Sequence, residues 1–185
     1  MNDFRYQEII HHAMKQQLCQ EKEIILKVLG DSMHPLMKEG ESIRVESFDP
    51  NTVSVGDIIT FEKEDTYITH RLLWTKTRDN GIELITRGDN EINIDPPVSP
   101  DHVLGKVAAL QRGSQTLQLK TPFWRFMNRL LGIIFLVETI CILFYRSRVG
   151  PCSPLRTFVP ARCKPSHPYR HLRNRVLRFV TGIIF

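Results

Sequence analysis

The stretch Ile24-Ile25-Leu26-Lys27-Val28-Leu29-Gly30-Asp31-Ser32-Met33-His34-Pro35, followed by Ser42-Ile43-Arg44-Val45, decides the reading of this chain. An apolar, β-favouring run stops at a glycine, a turn bounded by Gly30 and Pro35 follows, and a second β-favouring run begins at Ser42. A serine at a strand end on such a turn is held clear of the sheet. There a base from another segment can reach its hydroxyl, and a neighbouring backbone N–H can face a developing oxyanion. Most serines beside a glycine have no such task, and taken alone the turn reads as a polar connection between two strands.

The same punctuation continues outward. Short β-favouring runs over residues 23–29, 42–46, 57–62, 67–76, 81–86, 103–111 and 116–119 are separated by Gly, Pro, Asn and Asp, which predicts a mainly β, antiparallel domain over 22–119. Asp79-Asn80-Gly81 reads as a hairpin turn, because Asn-Gly readily supplies the positive φ angles of a type I′ connection. His70 then falls on the first arm of that hairpin. Asp95-Pro96-Pro97-Val98-Ser99-Pro100 is expected as an extended loop that holds Asp95 stiffly, since proline donates no ladder hydrogen bond and restricts the residue before it. Ahead of the domain, residues 1–21 place Phe4, Ile9, Ile10, Met14 and Leu18 at roughly helical spacing. They predict a short amphipathic helix covering one edge of the sheet. Charged and polar residues separate these apolar positions, so no cleavable signal peptide is expected.

With 185 residues and 42% hydrophobic content, the chain can bury one core. The net charge of +5 is unevenly spread: residues 146–185 hold nine of the 25 basic side chains and no acid, leaving 16 basic against 20 acidic side chains before them. A mildly acidic body with a basic tail suits anionic headgroups or the cytoplasmic side of a membrane. It does not suit nucleic acid, for which no binding fold accompanies the charge. Cys19, Cys141, Cys152 and Cys163 lack any CxxC spacing, so neither a zinc site nor a disulfide framework is indicated, and no cofactor is implied.

Residues 123–145 contain an apolar run from Leu130 to Tyr145, interrupted by Glu138, with Trp124 and Tyr145 near the ends as interfacial aromatics and arginines on both flanks. The run is slightly short for a span, and a carboxylate in hydrocarbon is costly. A membrane helix is the expectation, with an interfacial helix or one docked on the β domain as alternatives. Removing residues 123–185 is then expected to release a soluble β domain. The flanking charges are nearly balanced and leave the side of the membrane open. The basic tail 146–185, with five of the eleven prolines between Pro151 and Pro168, is expected to be disordered as far as about His171.

Four boxes in one order carry a family resemblance: Ser32-Met33-His34-Pro35, Val55-Gly56-Asp57 with its strand, Thr69-His70-Arg71, and Gly88-Asp89-Asn90, closed by Gly105-Lys106-Val107. Over roughly residues 25–110 the chain resembles the signal peptidase I family. A histidine rather than a lysine at position 70 makes it similar to the endoplasmic-reticulum, archaeal and less common bacterial type. The resemblance implies that Ser32 is the nucleophile and His70 the general base. It also implies that Asp95, six positions after the aspartate of Gly-Asp-Asn, orients the histidine, with Asp89 as the second candidate. A hydroxyl found two residues before the nucleophile in some members is replaced by Gly30, which leaves the Ser32 amide for the oxyanion.

His34 reads as a turn residue and Lys106 as a surface or structural lysine. The activity implied is a serine endopeptidase that removes a signal or leader segment from precursor proteins or peptides at a bacterial or archaeal cell membrane. A self-cleaving regulator of the SOS-repressor type shares the fold, but uses a lysine base and cuts an Ala-Gly or Cys-Gly bond that this chain lacks. A non-catalytic β module tethered to a membrane is the remaining alternative.

Overall fold

The computed structural model of the chain describes residues 3–63, 66–78 and 81–148. Helix α1 (Asp3–Glu21) is followed by strands β1 (Glu23–Lys27), β2 (Ser42–Glu46), β3 (Ile58–Lys63), β4 (Thr66–Arg78), β5 (Gly81–Arg87), β6 (Val103–Arg112) and β7 (Gln115–Gln118), and by helix α2 (Pro122–Arg148). All strands pair antiparallel in one sheet of order β1-β2-β6-β3-β4-β5, with β7 added to β6. The expected mainly β domain with an N-terminal and a C-terminal helix is therefore the architecture observed. The residues expected to turn the hairpin at Asp79-Asn80, and the chain from 149 onward, lie outside the described residues. Arg78 and Gly81 nonetheless face each other across the β4–β5 pair.

Helix α1 packs against β1 and β6, which places it over the β1 edge of the sheet. Leu18 is buried and Met14 packs on the core, whereas Ile9 is exposed. The turn after β1 winds as a short helical coil in which the Met37 N–H donates to the Met33 carbonyl, burying Met33, Leu36 and Met37 in the main core with Ile43, Val45 and Leu110. Those anchors leave Ser32 on the outer side of the turn, half-buried.

Strand β4 decides where the chemistry goes. Successive side chains of a strand point to opposite faces. His70 lies opposite Ile59, which belongs with Phe61 and Leu72 to one buried cluster. Arg71, one residue on, lies opposite Arg87 and faces α2. Leu73, two residues after Arg71 and on the same face, joins Leu131 and Phe135 of α2 in a separate cluster, beside a bulge between Leu72 and Trp74.

Helix α2 is docked lengthwise on this second face. Gly56, at φ +94°, and Gly132 bring loop and helix into backbone contact. A Cβ on Gly132 would lie 2.6 Å from Gly56 Cα, and one on Gly56 would collide with the Asn128 carbonyl. Trp124, expected near a membrane interface, is instead buried in the main core. Glu138, the chief objection to an apolar environment, accepts a hydrogen bond from Arg87 at 2.7 Å, while Arg87 also donates to Thr139 at 3.0 Å and stacks 5.0 Å from the Phe135 ring. Removing α2 would strip Leu73 of its cover and leave Arg71 and Arg87 without their helix partners. These contacts weigh against a β domain that is self-sufficient without α2. By length and composition Pro122–Phe144 could still cross a membrane, since its other face is apolar and exposed.

Candidate active site

A cleft of about 270 Å³ opens where the Ser32 turn, the end of β3, the start of β4 and the 88–95 loop meet. Ser32, His70, Asp95, Lys63, Tyr67 and Glu91 all line it. The imidazole of His70 is buried, packed edge-on against Phe61. Its Nδ1 lies 2.6 Å from Asp95 Oδ2. A carboxylate can only accept there, so in the neutral ring Nδ1 carries the hydrogen and Nε2 keeps its lone pair. Nε2 and the Ser32 carbonyl both come close to Gly88. A Cβ at that glycine would lie 3.0 Å from His70 Nε2 and 2.8 Å from the Ser32 carbonyl oxygen. Only a residue without a side chain lets the turn and the ring share this space.

Asp95 is fixed from three sides. Its N–H donates to the Thr86 carbonyl at 2.9 Å, the Thr86 hydroxyl donates to Oδ2 at 2.8 Å, and Lys63 Nζ stands 3.5 Å from Oδ1. The proline-rich loop after it is laid along β5 by reciprocal backbone bonds between Val98 and Leu84. Burial alone would push the Asp95 carboxyl up. The hydrogen bond and charge of His70, the Thr86 hydroxyl and the Lys63 charge outweigh it and hold the group below its ordinary value of 3.8. Asp95 is therefore an anion at neutral pH and balances an imidazolium forming beside it. Tyr67, by contrast, is pushed up to about 12 by burial and the Glu62 charge, so its phenol is no base near pH 7.

Asp89 belongs to the other face. It is fully buried and receives two parallel hydrogen bonds from Arg71, at 2.8 and 2.7 Å. Arg71 in turn donates to the Gly56 carbonyl at 2.8 Å and to Asn128 of α2 at 2.9 Å. The two candidate carboxylates are thus separated in role by geometry: Asp95 meets His70, and Asp89 meets Arg71. Asp89 acts on the cleft through its neighbour, because the Asn90 N–H donates to the Ser32 carbonyl at 2.7 Å and its amide donates to the Asp31 carbonyl at 3.1 Å. Lys106 is occupied with Asp57 at 2.8 Å.

Sequence reasoning missed Thr86 and Lys63 as partners of Asp95, and Asn128 as a partner of Arg71. No local pattern marks any of them, since each is brought in by a different strand or helix. Among the described residues no cluster of three or more His, Cys, Asp or Glu forms a metal site.

With this geometry described, similarity to known proteins is informative. Residues 3–108 match the Peptidase S24-like family. The signal peptidase complex catalytic subunit SEC11C of Homo sapiens, of Canis lupus familiaris and of Mus musculus is 35% identical to this chain over 69 residues. That stretch is 36% of this chain and 36% of each relative, so the match spans about a third of their length.

Proposed function

Since this chain belongs to the Peptidase S24-like family, we propose that it is a serine endopeptidase of the signal-peptidase type, acting on precursor proteins or peptides at a membrane. The observation that carries the reading is the His70 ring, bonded to Asp95 at 2.6 Å through Nδ1, in a cleft that Ser32 also lines.

In this mechanism the Ser32 Oγ attacks the scissile carbonyl carbon while its proton passes to His70 Nε2. The carbonyl π electrons move to oxygen, and the resulting oxyanion faces the Ser32 amide. Asp95 holds the ring in the productive tautomer and balances the imidazolium. Collapse of the tetrahedral intermediate breaks the C–N bond as His70 returns the proton to the leaving amine. Water then enters the cleft, gives a proton to His70 and attacks the acyl-serine, releasing the new carboxylate and regenerating the Ser32 hydroxyl. Membrane attachment through residues 123–145 places the site near a membrane-bound precursor.

The test is hydrolysis of a precursor peptide, together with labelling by a fluorophosphonate probe, in the full chain. Ser32→Ala and His70→Ala should each abolish turnover, Ser32→Ala with little change in thermal stability and His70→Ala with a measurable loss because its ring is buried against Asp95 and Phe61, and the double variant should be no less active than either single one. Full turnover in either single variant would sink the assignment, and a wild-type chain that neither cleaves nor labels would favour a non-catalytic module.

A further inference from the structure

Helix α2 is apolar on both sides: Trp124, Leu131 and Phe135 are buried against the protein, and a second set of large apolar residues faces outward. Its polar and small residues, Asn128, Gly132, Glu138 and Thr139, face the protein, where Arg71, Arg87 and Gly56 receive them. Its bulky apolar residues Phe123, Phe126, Leu130, Ile133, Val137 and Ile140 are 40–64% exposed. Spacing of three and four residues aligns them as one stripe, about 25 Å long at 1.5 Å per residue. A soluble domain rarely leaves so long an apolar stripe in water.

We propose that this stripe lies flat in the surface of an anionic lipid bilayer, so that α2 is an in-plane anchor and not a span. Three observations select this occupant and this orientation. The helix is bound to the β domain from Asn128 through Gly132 to Thr139, so it cannot enter hydrocarbon end-on without carrying the sheet with it or abandoning Arg71 and Arg87. Both arginine side chains are almost wholly buried, at 0% and 1% exposure; α2 supplies Asn128 to Arg71, beside Asp89 and the Gly56 carbonyl, and Glu138 and Thr139 to Arg87. A released arginine at the bilayer centre is costly. Charge complementarity supplies the rest. Arg125 and Arg129 are exposed beside the stripe, the helix's one acid is turned inward to Arg87, and the sequence from 146 onward carries nine basic residues and no acidic one. Apolar contact with flanking cations is the pattern of an interfacial helix that binds anionic headgroups.

The inference rests on the membrane-attachment part of the proposed function and is independent of the peptidase assignment. It is tested with the full chain carrying Ser32→Ala, by sedimentation with vesicles of phosphatidylcholine alone and of phosphatidylcholine with phosphatidylglycerol. Binding should be more than about tenfold stronger to the anionic vesicles. It should be released by alkaline carbonate, and be lost in Ile133→Asp/Ile140→Asp, whose exposed positions leave the melting temperature unchanged. Arg125→Glu/Arg129→Glu should weaken anionic binding alone. Carbonate-resistant retention would overturn the in-plane orientation while leaving membrane attachment intact. Equal binding to both vesicle types would overturn the anionic selectivity. Absence of binding, with the stripe covered in a dimer detected by sedimentation equilibrium, would overturn both the orientation and the attachment it rests on.

Discussion

The docking of α2 rests on the buried pair of Arg87 and Glu138, which makes a double-substitution cycle there a direct measure of it. In Glu138→Gln, the Arg87 guanidinium loses its counter-charge while remaining buried. It has little to fall back on, because its Nε makes no hydrogen bond among the described residues. Breaking such a pair from one side costs about 3–5 kcal/mol. At roughly 2–4 °C per kcal/mol for a chain of this size, the melting temperature should fall by roughly 6–20 °C. Arg87→Met should likewise cost about 3–5 kcal/mol, since Glu138 is itself buried and loses its counter-charge.

The combined Arg87→Met/Glu138→Leu variant should recover most of the loss, because an apolar pair of similar volume removes both desolvation penalties. Urea unfolding followed by tryptophan fluorescence gives all four stabilities. The chain holds only Trp74 and Trp124; one packs on the cluster shared with α2 and the other is a residue of α2 itself. The coupling energy should be at least about 2 kcal/mol. Additive effects, or a melting temperature indifferent to Glu138→Gln, would mean that α2 leaves the sheet, and the in-plane anchor would lose its basis.

Three further outcomes are expected. Asp95→Asn should lower turnover on the order of 10³ to 10⁴ and cost some stability, since it removes the anion bonded to His70 and Thr86. Asp89→Asn should do the reverse, unfolding the chain more readily because it leaves Arg71 buried without its anion; the comparison needs only a peptide assay and a thermal melt, and a larger catalytic loss from Asp89→Asn would reverse the roles. Acid should weaken the fold through Asp95. Its folded value lies below its unfolded one, so the stability it contributes is complete above the unfolded value near 3.8 and disappears as pH falls through the depressed one. Urea midpoints between pH 2 and 6 should therefore slope less steeply in Asp95→Asn than in the parent. Gly56→Ala should destabilise by about 2–4 kcal/mol, combining left-handed backbone strain with a collision against α2, and circular dichroism melts would show a parent-like transition if the helix does not dock there.

The legible part of this protein was local. Gly and Pro punctuation marked every strand, because turn chemistry acts over a few residues, and the Ser32 turn and the His70 strand were both identified from it. Alternation along β4 was also written in the chain: His70 and Arg71 are adjacent and so had to face opposite ways. Spacing and periodicity could not decide which carboxylate served which of them; only the family resemblance put Asp95 first. Asp89 and Asp95 sit six residues apart in one loop, and either can reach β4 by chain length alone. The choice came from the Val98–Leu84 bridge and Thr86, which tie Asp95 to the His70 face, and from Arg71, which draws Asp89 to the other.

The same limit explains α2. An apolar run reads alike whether it faces a core or lipid, since both exclude water, and Glu138 read as a defect in it. Only the tertiary structure supplied Arg87 as the partner of Glu138 and Gly56 as the seat of the helix, next to the buried Leu131 and Phe135. Distant residues make those contacts, and their energies depend on desolvation and on geometry that no spacing along a chain encodes.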